Sequence, residues 1–360
     1  MNTTRSTPQA EVIGIKPWKR WQIDPFLQRL YARWHYAGSA DAALRRQARH
    51  GGDLLIWAAR EPADFAARAQ AQQARVIRIE DGFLRSVGLG SNHVGGASLV
   101  FDERGIYFDP RQPSALEHLL QNQTFSPELL RRAAALREFL VRHGLSKYNV
   151  GAPSSHAAAR DGRPRILVPG QVEDDASVRL GAAGPRTNLQ LLRAVREQQP
   201  EACILYKPHP DTEAQTRAGH VPEHEALRYA DQVLHHTGAA AALAQADAVH
   251  TMTSLMGFEA LLRGLPVTAW GQPFYAGWGL TEDRTPLPRR TRRLQLDELV
   301  AGALILYPRY IDPRSGAACE PEEIARQLAE AGSGLADASL MRRVARLCRG
   351  WLRSQGLRHG

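Results

Sequence analysis

Short runs of Val, Ile and Leu punctuate the chain and alternate with stretches in which apolar residues recur every three or four positions. The short runs predict strands over residues 12–15, 54–57, 76–79, 98–101 and 105–108. The longer periodic stretches between them predict helices, for example over 41–50 and 62–74. A 126–143 segment reads as a long amphipathic helix. Gly, Pro and Ser then cluster through 144–163 (SKYN, GAPSS, DGRP), which predicts an interdomain linker. A second alternation follows. It has strands over 166–168, 203–207, 248–250 and 267–269, and helices over 187–198 and 254–263. Strand–helix alternation of this kind argues for mostly parallel sheets. The expected organisation is a disordered 1–11, a Rossmann-like domain over 12–157, a second over 158–330, and a tail over 331–360.

The tail adds one more pattern. Leu340, Val344, Leu347 and Trp351 form an apolar helical stripe beside Arg342, Arg343, Arg346, Arg349, Arg353 and Arg358. Such a helix can lie on an anionic bilayer or pack on the protein with a solvated basic face. The basic KPWKRW segment near the N-terminus points the same way.

A length of 360 residues fits two ordinary domains, and 43% apolar residues suffice for real cores. The formal net charge of +9 implies an anionic partner, and the excess of Arg suits phosphate or carboxylate. Cys203, Cys319 and Cys348 lie far apart in no CxxC pair, so neither a disulfide framework nor a zinc site is expected. No apolar run suits a signal peptide or a membrane span. A cytoplasmic location is therefore expected, with any membrane contact peripheral. No P-loop, HExxH, GxSxG or nucleic-acid-binding signature occurs, and nucleic acid is not an expected partner.

Five segments carry candidate chemistry, most at predicted strand ends, where α/β sheets meet their ligands. Glu80-Asp81-Gly82 offers paired carboxylates for acid–base work, with Arg85 and Ser86 following among glycines. The 169–177 segment, PGQVEDDAS, places Glu173, Asp174 and Asp175 after a strand. These acids could hold a cation, supply a nucleophile, or cap a helix. Gln171 and Ser177 flank them as substrate-binding candidates. In YKPHP, Lys207 and His209 suit a phosphate by charge and hydrogen bonding. Thr253 and Ser254 open a helix and form an anion site with its free N–H groups. Glu259, one turn on, could accept from a ribose. The ordinary alternative is a Ser N-cap and a helix-surface Glu. The Gly- and aromatic-rich 271–283 segment either shapes a pocket or packs beneath an interdomain loop.

Together, EDGFLRSVGLG, VPGQVEDDASVRLG, YKPHPD, HTMTSLMGFEALLRGLPV and GQPFYAGWGLTED resemble the KpsC capsule-linker synthase family. That family is similar to bacterial GT-B sialyltransferases. The likeness runs from about residue 12 to about residue 313. It implies an α/β, GT-B-like fold with two Rossmann-like domains facing across a cleft, which the double alternation also suggests. The first domain would take the acceptor and the second the donor. The implied activity is retaining β-Kdo transfer from CMP-Kdo to a Kdo-terminated, lipid-linked capsule linker. By the same resemblance Asp175 is the nucleophile, Glu80 and Asp81 the acid/base element, and His209 a neighbour of the CMP phosphate. Lys207, Thr253 and Ser254 would support that phosphate, and Glu259 the ribose. No metal is implied, since CMP is the leaving group. Implied partners are the lipid-linked acceptor, the anionic inner face of the inner membrane, and a second capsule-linker Kdo transferase. Family members carry two transferase halves; this chain has one, with wording closer to the second half. Transfer of another, sialic-acid-like sugar from its CMP donor, or a non-catalytic capsule-assembly role, are the alternatives.

Overall fold

The computed structural model describes residues 9–85, 96–146 and 161–332. The first domain contributes β1 (Gln9–Ile13), β2 (Arg33–Tyr36), β3 (Asp53–Trp57), β4 (Val76–Asp81) and β5 (Ser98–Asp102). The second contributes β6 (Arg165–Pro169), β7 (Cys203–Lys207), β8 (Gln232–Val233), β9 (Ala248–Thr251), β10 (Val267–Ala269) and β11 (Glu282–Asp283). The chain then returns to the first sheet with β12 (Pro308–Ile311) and β13 (Ala318–Cys319).

The first sheet has the order β13-β12-β5-β4-β3-β1-β2, and its β2-β1-β3-β4 portion is parallel. The second, β11-β10-β9-β6-β7-β8, is parallel throughout. Counted from β6, its order is 3-2-1-4-5-6, the arrangement of dinucleotide-binding domains. The central strands read LLIW, ILV and CILY and are buried, as expected where helices cover both faces of a parallel sheet. Ser39, Ser114, Ser126 and Thr187 each cap a helix by accepting a backbone N–H, which fixes where the crossovers turn.

The two domains share one apolar core. It runs from Phe83, Val100 and Leu136 through Phe258, Phe274 and Trp278 to Leu167 and Leu205. Buried Arg290 pairs with Glu117 at 2.8 Å and donates to the carbonyls of Pro273 and Ala276, each at 2.7 Å. It thereby ties the 271–283 loop to the Ala115–Asn122 helix of the first domain.

Several expectations change. Residues 9–11 are not disordered: β1 begins at Gln9 and lies between β2 and β3. Glu11 made this strand look polar, yet it is buried and paired with Arg46 at 3.0 Å and His35 at 2.9 Å. The expected strand over 105–108 is a turn. The expected second-domain boundary also shifts, because β12 pairs antiparallel with β5 and extends the first sheet. Without it, β5 would be an open edge. Most of the expected linker, residues 147–160, and the tail from 333 onward lie outside the described residues. Among the described residues no helix is long and apolar enough to cross a membrane.

Candidate active site

A cleft of about 590 Å³ opens where the carboxyl ends of both sheets face each other. Its walls are the loops after β1, β3 and β4 on one side and after β6, β7 and β9 on the other. In the second sheet the chain leaves β6 toward β7 and β9 toward β10, so the loops after β6 and β9 diverge at the point where α/β sheets take ligands. The cleft takes in Glu80, Asp81, Arg85, Gln171, Asp175, Ser177, Lys207, His209, Thr253, Ser254 and Glu259. Ser86 lies outside the described residues.

Asp175 is the N-cap of the Ala176–Gly181 helix. Its Oδ1 accepts the Ser177 backbone N–H at 3.0 Å and the Ser177 hydroxyl at 2.8 Å. The capping alternative is thus realised, and it uses one oxygen. Oδ2 has no hydrogen bond among the described residues, and Asp175 lines the cleft. Asp174, by contrast, pairs with Arg217 at 2.9 Å on an exposed edge. The adjacent acids therefore have separate tasks.

His209 caps the short Pro210–Glu213 helix, its Nδ1 accepting the Asp211 N–H at 3.1 Å. A nitrogen that accepts a backbone N–H carries no hydrogen, so the neutral ring holds its proton on Nε2 and can donate from there. Burial lowers the His209 pKa, with Asp211 opposing. Burial likewise lowers the pKa of Lys207, opposed by Glu213 and Glu259. Gly170 lets this turn close: a Cβ there would sit 2.8 Å from Tyr206 Oη and 3.2 Å from the His209 nitrogen.

Gln171 is a brace. Its Oε1 accepts from Thr253 N at 3.0 Å and Thr251 Oγ1 at 3.3 Å, and its Nε2 donates to Thr253 Oγ1 at 3.0 Å. It fixes the β9 loop against the β6 loop. Ser254 caps the Leu255–Leu262 helix, and its carbonyl accepts the Tyr275 hydroxyl at 2.5 Å. Glu259 is buried on that helix. The 271–283 segment is mainly packing, with Phe274 alone of its central aromatics reaching the cleft. The Phe274 ring centroid lies 4.5 Å from that of Phe83, across the domain junction.

On the opposite wall, Glu80 and Asp81 end β4. Lys19 Nζ lies 3.1 Å from Asp81 Oδ1 and 3.5 Å from the Trp57 ring centroid. Arg85 Nε lies 3.0 Å from Asp81 Oδ2. Burial lowers the Lys19 pKa, against the pull of Asp81 and Glu80. Tyr107 donates to the Asp81 carbonyl at 3.3 Å. Lys19, Trp57, Tyr107, Phe108 and Arg217 all line the cleft and were not singled out from the sequence as site residues. Lys19 sits in KPWKRW, which read as a membrane contact; the apolar 105–108 run that read as a strand puts Ile106 in the core and Tyr107 and Phe108 between that core and the cleft.

The family model for capsule polysaccharide biosynthesis proteins matches residues 52–310. The capsule polysaccharide modification protein LipA of Neisseria meningitidis is 46% identical over 316 residues, covering 88% of this chain and 45% of LipA. The chain thus spans about half the length of that relative. Two solved structures of Thermosulfurimonas dismutans KpsC are also similar. The β-Kdo 2,7 transferase is 36% identical with a TM-score of 0.73, covering 90% of this chain and 99% of that one. The β-Kdo 2,4 transferase is 32% identical with a TM-score of 0.78, covering 89% and 98%. The chain belongs to the capsule polysaccharide biosynthesis family, is of the KpsC type, and has its two-domain, GT-B-like α/β fold.

Proposed function

We propose that this protein is a retaining β-Kdo transferase. It takes Kdo from CMP-Kdo and adds it to a Kdo-terminated, lipid-linked acceptor in capsule synthesis. The observation that carries this reading is one cleft holding Asp175, His209, Lys207 and the Glu80–Asp81 pair, in a chain similar to two KpsC structures described as Kdo transferases.

In the first step, Asp175 Oδ2 attacks the anomeric carbon of Kdo and the bond to the CMP phosphate breaks. His209 Nε2–H and Lys207 stabilise the charge that develops on the departing phosphate. The glycosyl-enzyme is an ester on Asp175. In the second step the acceptor hydroxyl attacks the same carbon, gives its proton to the Glu80–Asp81 element, and releases Asp175. Two inversions give net retention. Thr253 and the first turn after Ser254 hold the phosphate, and Glu259 accepts from the ribose. No step assigns work to a metal.

The test incubates purified protein with a synthetic Kdo-terminated lipid and either CMP-Kdo or CMP-sialic acid, with and without EDTA. Extension by Kdo, unaffected by EDTA, supports the reading. Extension only by the sialic-acid donor, or none with CMP-Kdo intact, contradicts it. Identity favours the 2,7 transferase and TM-score the 2,4, so product linkage analysis assigns the position. Because the chain spans about half of LipA, a second transferase acting before or after it is part of the proposal. So is a peripheral place on the inner face of the membrane, tested by flotation with anionic liposomes in low and high salt.

A further inference from the structure

The transfer step leaves one part of the cleft unused, the wall at the ends of β1 and β3. In the parallel portion of the first sheet, β1 leads outward to β2 and β3 leads the other way to β4. The space between their carboxyl ends is the topological switch point of this sheet, where open α/β sheets take ligands. Two loops occupy it, residues 14–19 and 58–60. Arg60 Nη1 donates to the Gly14 carbonyl at 3.0 Å and joins them. Gly14 has φ +77°, and a Cβ there would lie 3.2 Å from Trp57 Cβ and 3.3 Å from Arg60 Cβ. Only glycine allows both the turn and the close approach of Arg60.

This junction brings Lys16, Trp18 and Arg60 to the edge of the cleft. The inner cations, Lys19 and Arg85, are matched by Asp81. Lys16 and Arg60 are exposed and have no carboxylate partner among the described residues. Two unmatched cations beside an indole, on the wall opposite the donor residues, are suited to an anion that arrives with the acceptor.

We propose that Lys16, Arg60 and Trp18 form an outer acceptor subsite for a second anionic group, a phosphate or a carboxylate, one unit beyond the sugar that receives the transfer. This rests on the reading of the cleft as a sugar-transfer site. Lys16 supplies a point charge and Arg60 a planar fork held by Gly14. Trp18 offers an apolar face to the intervening ring.

Three soluble acceptors test it. One is a Kdo glycoside carrying a phosphodiester, one a Kdo–Kdo disaccharide on an uncharged aglycone, and one a single Kdo on that same aglycone. In a Lys16→Gln/Arg60→Gln double variant, KM for an anion-bearing acceptor should rise about tenfold with kcat unchanged. KM for CMP-Kdo and for the single-Kdo acceptor should stay at the parent value. A response confined to the phosphodiester assigns the anion to the lipid anchor; one confined to the disaccharide assigns it to a sugar carboxylate. Unchanged KM for both, or an equal rise for the single-Kdo acceptor, overturns the proposal. So does a defect seen only in liposome binding. Calorimetric titration of the phosphodiester glycoside and of the disaccharide reads the subsite without turnover. If neither binds more weakly to the double variant, the subsite is wrong. If one does, while the parent protein transfers to none of the three acceptors, the subsite stands and the transferase reading falls.

Discussion

Asp175 Oδ1 accepts two hydrogen bonds from Ser177, at 3.0 Å from the backbone N–H and 2.8 Å from the hydroxyl. The carboxylate that caps a helix is therefore also held in one orientation, with its second oxygen available in the cleft. Asparagine is as good an N-cap as aspartate but is not a carboxylate nucleophile. Asp175→Asn should keep parent stability in urea unfolding and lose at least about 10⁴-fold in transfer rate. Asp175→Ala should in addition lose about 1 kcal/mol of stability, because the cap goes too. Asp174→Asn should change the rate by no more than about fivefold, since its exposed pair with Arg217 contributes at most about 1 kcal/mol.

His209 acts as a neutral donor in this account. Its Nδ1 is occupied by the Asp211 N–H, and burial lowers its pKa from an ordinary 6.5. His209→Asn keeps a capping acceptor but is too short to reach as the imidazole does. It should lower kcat by about 10²- to 10³-fold with little change in the melting temperature. The part of the pH–rate profile that His209 controls should be flat above 6.5 and fall only on the acid side of that value.

Gln171 braces the β6 and β9 loops with all three of its side-chain hydrogen bonds directed at Thr251 and Thr253. Gln171→Leu leaves the Thr253 N–H without its partner in a partly buried place. It should cost about 2 kcal/mol in denaturant unfolding and raise KM for the CMP-sugar, with a smaller effect on kcat.

His250 lies in β9, buried, with its Nδ1 accepting from Trp270 Nε1 at 3.3 Å. Burial lowers its pKa from 6.5 to about 4. The unfolded chain binds a proton below 6.5 that the folded chain takes up only near 4. This contribution is therefore fully present above 6.5 and lost as pH falls toward 4, to a total of about 3 kcal/mol. Stability measured by urea unfolding across that interval should decline less in His250→Gln than in the parent protein.

The two strands read most accurately from the sequence, Cys203–Lys207 and Val267–Ala269, are apolar runs buried on both faces, where composition alone marks the element. The edge strand β2, Arg33-Trp-His-Tyr36, was not legible because it alternates between exposed and half-buried positions and carries polar residues. β12 was not assigned to the first sheet because its pairing with β5 joins residues about two hundred positions apart. The candidate site was legible for the same reason as the buried strands. Three of its residues follow strand ends: His209 sits between Pro208 and Pro210 just past β7, Asp175 follows the Pro169-Gly170 end of β6, and Ser254 lies three residues past β9. Lys19 was not, because its contact with Asp81 depends on β1, β3 and β4 lying side by side. The brace role of Gln171 was hidden likewise, since its partners lie 80 and 82 residues along the chain.

The most direct measurement is mass spectrometry of the protein itself after brief incubation with CMP-Kdo and no acceptor, followed by proteolysis. A covalent glycosyl-enzyme intermediate predicts a Kdo adduct on the peptide containing Asp175. The adduct should disappear when acceptor is added and be absent from Asp175→Asn. Transfer that persists in Asp175→Asn, or an adduct on another residue, would contradict it.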